Sequence, residues 1–240
     1  MKILITGASS GLGAELARQY ATDENELILL ARREERLVGL KEELNSKAKK
    51  ITVVVADVTA FKDLQRKVEE IGVVDMVILN AGISLGQVDD IASIDDFKNL
   101  YDVNLMANHA ILEVLLPHFK EQKKGTIVFI SSLASLITMP TSIAYNSSKR
   151  ALNAYAEGVR YKYRKDNIDV ITILPGFIKS ELTDKNRFKM PFILSTEDGV
   201  KNIIYAIQKR KRFYAFPLRF YVIIKIANLL PQFLKDKMIT

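Results

Sequence analysis

Short apolar runs alternate with longer amphipathic segments along most of this chain. Six runs rich in Ile, Leu and Val have the length and composition of buried parallel strands: KILIT, ELILL, ITVVVA, DMVILN, TIVFIS and DVITIL. The stretches between them, such as the one from Ala144 to Lys165, have helical spacing. Because consecutive parallel strands need a helical crossover, this order predicts an α/β fold, a doubly wound parallel sheet (Rossmann) with helices on both faces.

Composition favours one folded domain without metal or thiol chemistry. A chain of 240 residues with 48% hydrophobic content can bury a substantial core, and no linker or repeat divides it. The absence of cysteine excludes disulfides, cysteine-ligated zinc and a thiol nucleophile. His109 and His118 lie in helix-like sequence without the neighbours of a metal site, so we predict no bound metal. We expect residues 1–240 to form a single domain.

The same composition gives expectations about location and partners. The run KILIT begins at residue 2 and leaves no room for a signal peptide, and no stretch reaches roughly 18 uncharged apolar residues, so we expect a cytoplasmic protein. The formal net charge is +7, with basic and acidic residues interspersed apart from the run Lys209–Arg212. Because no basic stripe interleaved with aromatic residues appears, this charge favours a solvated surface over a nucleic-acid partner.

A glycine-rich turn follows the first predicted strand and opens the first predicted helix. Gly7, Gly11 and Gly13 stand in the sequence TGASSGLG. Glycine permits a tight turn and a close approach of the backbone to a pyrophosphate, and the helix N-terminus offers unpaired N–H groups. At this place in an α/β chain the pattern favours dinucleotide binding, with a spacing one residue different from the common fingerprint.

The residues after the second predicted strand indicate which dinucleotide is bound. Enzymes that prefer NAD usually place an acidic residue there, which binds the ribose 2′-hydroxyl. This chain has Arg32 and Arg33 instead. Guanidinium groups suit a 2′-phosphate because they form bidentate, charge-assisted hydrogen bonds. The sequence therefore predicts NADP(H) as the cofactor, with NAD as the weaker alternative.

A proton-transfer site is predicted downstream, where the strand-like run GTIVFISS ends at Ser132 and a loop leads to the helix that Tyr145 opens. The spacing of Tyr145 and Lys149 recurs in the chain, at Tyr161, Tyr205 and Tyr221, so its place after this strand distinguishes it. Tyrosine, with a pKa of about 10, is a poor acid near neutrality. Lys149 lies one helical turn away, so we expect its ammonium and an oxidised nicotinamide to lower the pKa of Tyr145. Ser132 can donate to a substrate oxygen.

With these residues in hand, the chain resembles the short-chain dehydrogenase/reductase family over nearly its whole length. The resemblance covers the family's cofactor turn at Gly7, Ser9, Ser10, Gly11, Leu12 and Gly13. It covers further cofactor-binding positions at Asp57, Val58, Asn80, Ala81, Gly82, Pro175, Gly176, Ile178 and Ser180. The family's catalytic tetrad is matched by Asn104, Ser132, Tyr145 and Lys149.

The resemblance implies an oxidoreductase that interconverts a carbonyl and a primary or secondary alcohol. It implies that Tyr145 exchanges the proton and that Lys149 also holds the nicotinamide ribose. Asn104 is expected to kink its helix and to position a water that relays protons to Lys149. The alternative is a regulatory protein on the same fold that senses NADP(H) without turnover.

The resemblance also implies a homodimer or homotetramer. The long predicted helices around residues 101–122 and 145–165 would form the contact. Small residues on the second of these would allow a close approach of helices: Ala151, Ala154, Ala156 and Gly158.

The segment from about 180 to 195 corresponds to a lid over the substrate. Its apolar residues, such as Phe188, Met190, Phe192 and Leu194, suggest an aliphatic, aromatic or steroid-like ketone or aldehyde. We expect Phe188 and Phe192 to contact the substrate together with Ser132 and Tyr145. Further candidates for the pocket lining are Ile83, Ser84, Leu85 and Leu133. The open alternative is that the lid residues pack in the core or at a subunit contact.

The C-terminal tail, about residues 213–240, is the most individual part of the chain. Pro217 can start a helix and Pro231 can end it, and between them only Arg219, Lys225 and Asn228 interrupt the apolar residues. Such a helix is too apolar for a solvated surface. Two interpretations of what contacts this helix are open. It packs against the protein itself, either the body of the domain or a second subunit, or it binds peripherally to an anionic membrane.

Overall fold

The computed structural model describes residues 1–88, 90–184, 186 and 189–239. Seven strands form one parallel sheet in the order β3-β2-β1-β4-β5-β6-β7. The strands are β1 Lys2–Thr6, β2 Glu26–Ala31, β3 Lys50–Val55, β4 Met76–Leu79, β5 Gly125–Ile130, β6 Ile168–Pro175 and β7 Phe213–Phe216. The predicted doubly wound Rossmann sheet is thus confirmed, and all six predicted strands are present.

Helices connect the strands and cover both faces of the sheet. They are α1 Gly11–Tyr20, α2 Glu34–Leu44, α3 Phe61–Ile71, α4 Ile94–Tyr101, α5 Ala107–Gln122, α6 Ile143–Lys162, α7 Thr196–Gln208, α8 Leu218–Leu229 and α9 Gln232–Ile239. One face carries α1, α2 and α7, which bury residues such as Leu16, Leu37 and Ile203. The other face carries α3, α5 and α6, whose buried side chains include Leu115 and Leu152. The strands are apolar on both sides because both sides are covered.

The strand order places the functional cleft. The chain runs outward in one direction from β1 to β3 and in the other from β4 to β7, so the order reverses between β1 and β4. At such a reversal the helices leave on opposite faces, and a crevice opens beyond the carboxyl ends of the two strands. The glycine turn after β1 and the Asn80–Gly82 turn after β4 meet there.

The C-terminal tail differs from the prediction in its first part. Residues Phe213–Phe216 form the seventh strand and pair in parallel with β6, and only then does α8 begin, directly after Pro217. The predicted helix start at Pro217 agrees with this structure. In the part of the chain that the structure describes, no helix is long and apolar enough to cross a membrane.

Two further features of the helices bear on the predictions. Asp102–Met106 forms a π-helical segment between α4 and α5, so the predicted long helix around residues 101–122 is irregular at Asn104. Ala156 of α6 is fully buried in the domain's own core. It was expected to line a subunit contact, and that expectation is wrong because its side chain faces the sheet; Ala154 and Gly158 are exposed on the same helix.

Candidate active site

The glycine turn is built around close backbone contacts. Gly7 and Gly11 have φ angles of +66° and +52°, which favour glycine. A Cβ on Gly13 would lie 2.2 Å from the Gly7 carbonyl oxygen, so only glycine lets α1 start this close to the turn. Asn80 Nδ2 donates to the Thr6 carbonyl oxygen at 2.9 Å, which ties the end of β4 to the end of β1. The turn is therefore held rigidly beside the cleft.

The first turn of α1 is available to an anion. Ser10 precedes the helix in extended conformation, and its side chain makes no capping hydrogen bond to the helix backbone. The first N–H groups of a helix have no partner within the helix, and its dipole favours negative charge there. The turn residues Gly7, Ser9, Ser10, Gly11 and Leu12 line the cleft. This geometry suits a pyrophosphate.

Arg33 is anchored over this turn by three hydrogen bonds. Its Nε donates to Ser9 Oγ at 3.1 Å, and its Nη2 donates to Ser10 Oγ at 2.5 Å. Its Nη1 donates to Glu181 Oε2 at 2.8 Å, and Arg36 also donates to the Glu181 carboxylate. The hydrogen bonds from Arg36 and Arg33 lower the pKa of Glu181 to about 2. Glu181 was not anticipated from the sequence, because nothing local links it to arginines about 150 positions earlier.

Arg32 takes a different direction from its neighbour. Its Nη1 lies 3.7 Å from Asp57 Oδ2, and its side chain is largely exposed. Asp57 also accepts hydrogen bonds from the backbone N–H and the hydroxyl of Thr59, which fix the turn after β3. Arg32 and Val58 line the cleft, while Asp57 stands beside it. Three of the predicted cofactor-binding residues, Arg32, Asp57 and Val58, are thus close together.

Ser132 and Tyr145 both line the other end of the cleft. Ser132 Oγ accepts a hydrogen bond from the Ala134 N–H at 3.1 Å, so its own hydroxyl proton is free to be donated. Burial raises the pKa of Tyr145, and the Ser132 hydroxyl lowers it by less. The shift produced by the protein's own groups is upward. The predicted lowering also involves an oxidised nicotinamide and stays a prediction.

The position of Lys149 is consistent with the upward shift of this pKa. Its Nζ lies 5.9 Å from the centroid of the Tyr145 ring and donates to the Ile130 carbonyl oxygen at 3.0 Å. The side chain is almost fully buried, and burial lowers the pKa of Lys149 to about 8. A Cβ on Gly82 would lie 3.4 Å from this Nζ, so the glycine keeps the turn after β4 close to the ammonium.

Asn104 is fully buried behind these residues, in the π-helical segment. Its Oδ1 accepts from the Ile83 N–H at 2.8 Å, and its Nδ2 donates to the Ile83 carbonyl oxygen at 3.0 Å and to Ser148 Oγ at 3.1 Å. It therefore links the turn after β4 to α6, the helix that carries Tyr145 and Lys149. The structure agrees with the expected irregularity of the helix, and the water relay remains a prediction.

Most predicted site residues come together in one cleft of about 400 Å³. Besides the turn residues, its walls include Arg32, Arg33, Val58, Asn80, Ala81, Gly82, Ser132, Tyr145, Lys149, Pro175, Gly176, Ile178 and Ser180. Gly13, Asp57 and Asn104 support these walls from behind. Glu181, Leu182 and Thr183 complete the cleft on the side of the predicted lid.

The predicted substrate residues are only partly placed at the cleft. Phe188 lies outside the described residues. Phe192 does not line the cleft; its ring lies 6.0 Å from that of Phe220 in α8, and its backbone φ is +56°. The base of the predicted lid is closed by hydrogen bonds of Leu194 with Phe177 and Lys179.

A second cavity of about 240 Å³ adjoins the cleft and shares Tyr145 with it. Its lining is mostly apolar and includes Leu85, Val88, Ile91, Phe97, Pro140, Ile143 and Ala144. Of these, Leu85 is a pocket residue predicted from the sequence. The remaining residues belong to α4, to two loops and to the start of α6, and no single periodic pattern in the sequence marks them as one set. Ile83 and Ser84 line the main cleft.

This fold and cleft define a dinucleotide-binding oxidoreductase site. The family profile described as short chain dehydrogenase matches residues 1–190. The chain is 37% identical over 226 residues to an uncharacterized oxidoreductase of Mycobacterium tuberculosis, covering 90% of this chain and 88% of the relative. It is 32% identical over 237 residues to an uncharacterized oxidoreductase of Myxococcus xanthus, covering 97% and 94%. The chain belongs to the short-chain dehydrogenase/reductase family, as its motifs predicted.

Solved structures confirm the fold. A short-chain dehydrogenase from Sphingobium yanoikuyae in complex with NADPH superposes with a TM-score of 0.84 at 22% identity, over 96% of both chains. A short-chain dehydrogenase/reductase from Burkholderia phymatum in complex with NAD superposes with a TM-score of 0.83 at 23% identity, over 95% of this chain and 92% of that one. This fold thus binds nicotinamide cofactors of either kind.

Proposed function

We propose that this chain is an NADP(H)-dependent oxidoreductase that interconverts an apolar ketone or aldehyde and the corresponding alcohol. The observation that carries the proposal is the place of Tyr145, which lines both the dinucleotide cleft and the adjoining apolar cavity. A substrate that extends from that cavity into the cleft would meet Tyr145, and Ser132 on the cleft side. Family membership supports the reaction class.

The residues present fit a nicotinamide dinucleotide. The Gly7–Gly13 turn and the open N-terminus of α1 would hold the pyrophosphate, and Val58 with Asp57 would contact the adenine. Pro175, Gly176, Ile178 and Ser180 would hold the carboxamide, and Lys149 the ribose of the nicotinamide. The bound cofactor supplies or accepts the hydride at the substrate carbon.

The preference for NADP(H) rests on Arg33 and Arg32. Arg33 is fixed over the glycine turn by Ser9 and Ser10, where it can form a bidentate contact with a 2′-phosphate. The Glu181 carboxylate engages Arg33 and would repel a phosphate. We infer that the phosphate displaces Glu181 from Arg33, with Arg36 remaining as partner of the carboxylate.

The protein's own groups can perform the proton transfer. Ser132 donates its free hydroxyl proton to the substrate oxygen and holds it beside Tyr145. Because its pKa is raised, Tyr145 is protonated near neutral pH, which is the form that gives a proton to the developing alkoxide during reduction. Lys149, whose Nζ lies 5.9 Å from the ring centroid, would favour the phenolate that remains only together with the charge of an oxidised nicotinamide. Asn104 positions the tyrosine helix through Ser148.

Apolar substrates are proposed because of the second cavity. Its walls are built mainly from aliphatic and aromatic side chains, and its volume suits a group of moderate size. Residues 180–183 line the cleft nearby, so we propose that the first residues of the segment 180–195 cover the substrate. Phe192 is left out of the substrate contacts because it packs against α8.

We also propose a homodimer or homotetramer through α5 and α6. A groove between these helices is lined by apolar residues that include Leu116, Pro117 and Tyr155, and Gly158 lies within it. The absence of a side chain at Gly158 allows another helix to approach. Sedimentation velocity at micromolar concentration tests this: a species of monomer mass alone would contradict the proposal.

Turnover with a panel of apolar ketones, aldehydes and alcohols tests the function, with NADPH/NADP⁺ and NADH/NAD⁺ measured in parallel. We expect oxidation or reduction of at least one apolar member, with a higher kcat/KM for the phosphorylated cofactor. Faster turnover with NADH would overturn the cofactor preference. Tight NADPH binding with no turnover across the panel would favour a regulatory protein that senses NADP(H).

A further inference from the structure

The net charge of the chain is concentrated at its C-terminal end. Residues 209–240 contain eight lysines and arginines and one acid, Asp236. The preceding 208 residues contain 27 basic and 27 acidic residues, which cancel. The formal charge of +7 therefore belongs entirely to the segment that contains β7, α8 and α9. Four of these charges, Lys209–Arg212, lie in the exposed connection that leads into β7.

The same segment exposes an apolar helix face. Ile224 of α8 is buried with Leu133 and Leu174, so this side of the helix is fixed to the domain. At 100° per residue, Val222, Ile226 and Leu229 lie on the opposite side. Their exposed fractions are 43%, 59% and 83%. Phe233 of α9 is 66% exposed and extends this apolar surface. We call these four residues the α8 face.

Basic side chains border the α8 face. At the same helical spacing Arg219 lies on one side of the line formed by Val222, Ile226 and Leu229, and Lys225 on the other. Both are exposed. An apolar strip between cations is the pattern of a helix that lies in a membrane interface, where its apolar side enters the acyl boundary and its cations meet anionic headgroups.

We propose that the α8 face docks on an anionic lipid surface, with Lys209–Arg212, Arg219 and Lys225 in contact with its headgroups. Charge complementarity selects this occupant, because a second copy of the chain would bring another concentration of positive charge to the same patch. The helix is anchored to the domain by Ile224 and by Asn228, whose Nδ2 donates to the Leu136 carbonyl oxygen at 2.7 Å. The protein would thus bind the surface as a folded body, without insertion across it.

Co-flotation of the full chain with vesicles tests the proposal. Vesicles of phosphatidylcholine with phosphatidylserine are compared with vesicles of phosphatidylcholine alone, at low and at high salt. We expect binding to the anionic vesicles that weakens at least tenfold when the salt is raised, because exposed charges are screened. Equal binding to both kinds of vesicle, or none to the anionic ones at low salt, would overturn the proposal.

Point variants separate the two parts of the surface. Truncation before Pro217 is unsuitable because it would expose Leu133 and Leu174 in the core. The triple variant Val222→Gln, Ile226→Gln and Leu229→Gln changes only exposed positions and should lose vesicle binding, with an unchanged thermal unfolding midpoint. Ile94→Gln is the matched control, because Ile94 is 76% exposed on α4, and it should bind as the wild type does.

A charge variant has its own control. Replacing Lys209, Arg210, Lys211 and Arg212 by Gln should weaken binding by at least about tenfold, since each basic residue near an anionic surface contributes measurably. Replacing four exposed lysines elsewhere, Lys41, Lys47, Lys62 and Lys165, lowers the net charge equally and should leave binding nearly unchanged. If both quadruple variants lose binding alike, net charge acts without this surface and the proposal is wrong. It is also wrong if the triple Gln variant dissociates a dimer while the wild type ignores anionic vesicles.

Discussion

Replacing Arg33 by alanine should weaken NADPH much more than NADH. The guanidinium is held over the glycine turn by Ser9 Oγ at 3.1 Å and Ser10 Oγ at 2.5 Å, so it is already oriented before any phosphate arrives. The substitution removes the charge-assisted hydrogen bonds that we assign to the 2′-phosphate, a group that NADH does not carry. The cofactor turn and α1 remain intact in the variant.

The size of the effect follows from the number of bonds that Arg33 can give. A hydrogen bond to a charged group contributes about 1.5–3 kcal/mol. Arg33 gives up its hydrogen bond to Glu181 when it binds the phosphate. We therefore expect Arg33→Ala to weaken NADPH binding by the free energy of one such hydrogen bond rather than two. That corresponds to about a 10- to 150-fold rise in the Kd of NADPH. The Kd of NADH should change by less than about threefold.

Fluorescence titration of both cofactors measures this, with Arg36→Ala as the matched control. Arg36 also pairs with Glu181, but the structure gives it no contact with Ser9 or Ser10. It should therefore change the ratio of the two affinities much less than Arg33→Ala does. Equal losses of NADPH and NADH in Arg33→Ala would refute the reasoning. So would a loss of the same size in Arg36→Ala.

Three further predictions concern the same cleft. Glu181→Gln should tighten NADPH relative to NADH in the same titration, since the neutral amide no longer repels the phosphate; an unchanged ratio would count against this. Gly13→Ala should lower the thermal unfolding midpoint and the cofactor affinity, because its Cβ would lie 2.2 Å from the Gly7 carbonyl oxygen. Gly39→Ala is the control and should lower neither, because a Cβ there has no heavy atom within 4 Å. A Gly13→Ala variant as stable as the wild type would contradict this. Burial lowers the pKa of Lys149 from 10.5 to about 8, so the unfolded chain binds more protons than the folded one between these pH values. The free energy of unfolding of the wild type should therefore rise relative to that of Lys149→Met as the pH increases from about 8 to 10.5. A difference that stays constant with pH in urea unfolding would argue against this.

The fold could be predicted because its strands are marked by their own composition. A parallel sheet covered on both faces needs continuous apolar strands, and the six predicted runs have that character. The seventh strand escaped because Phe213–Phe216 has four residues, follows a basic run and is fully buried only at Phe216. Its pairing with β6 decides its conformation, and pairing between distant segments leaves no local trace.

The site could be predicted as far as motifs reach. The glycine turn, Ser132, Tyr145 and Lys149 were found because each stands at a fixed place after a strand or on a helix. The bond between Arg33 and Glu181 joins residues 148 positions apart, which no spacing reveals. Burial of Tyr145, which raises its pKa, depends on the packing of distant segments, and no local pattern in the sequence shows it. The apolar cavity comes from loops without periodicity, such as the one that carries Pro140.

The Tyr145→Phe variant tests the central claim most directly. Kinetics and cofactor titration of wild type and variant are compared with the best substrate of the panel. We predict a fall in kcat of at least about 10²-fold, which is the rate contribution typical of a general acid–base group. The Kd of NADPH should change by less than about threefold, because Tyr145 supplies the proton and the glycine turn and arginines supply much of the cofactor binding. Turnover retained above about one per cent of wild type would contradict the role of Tyr145 as the proton donor.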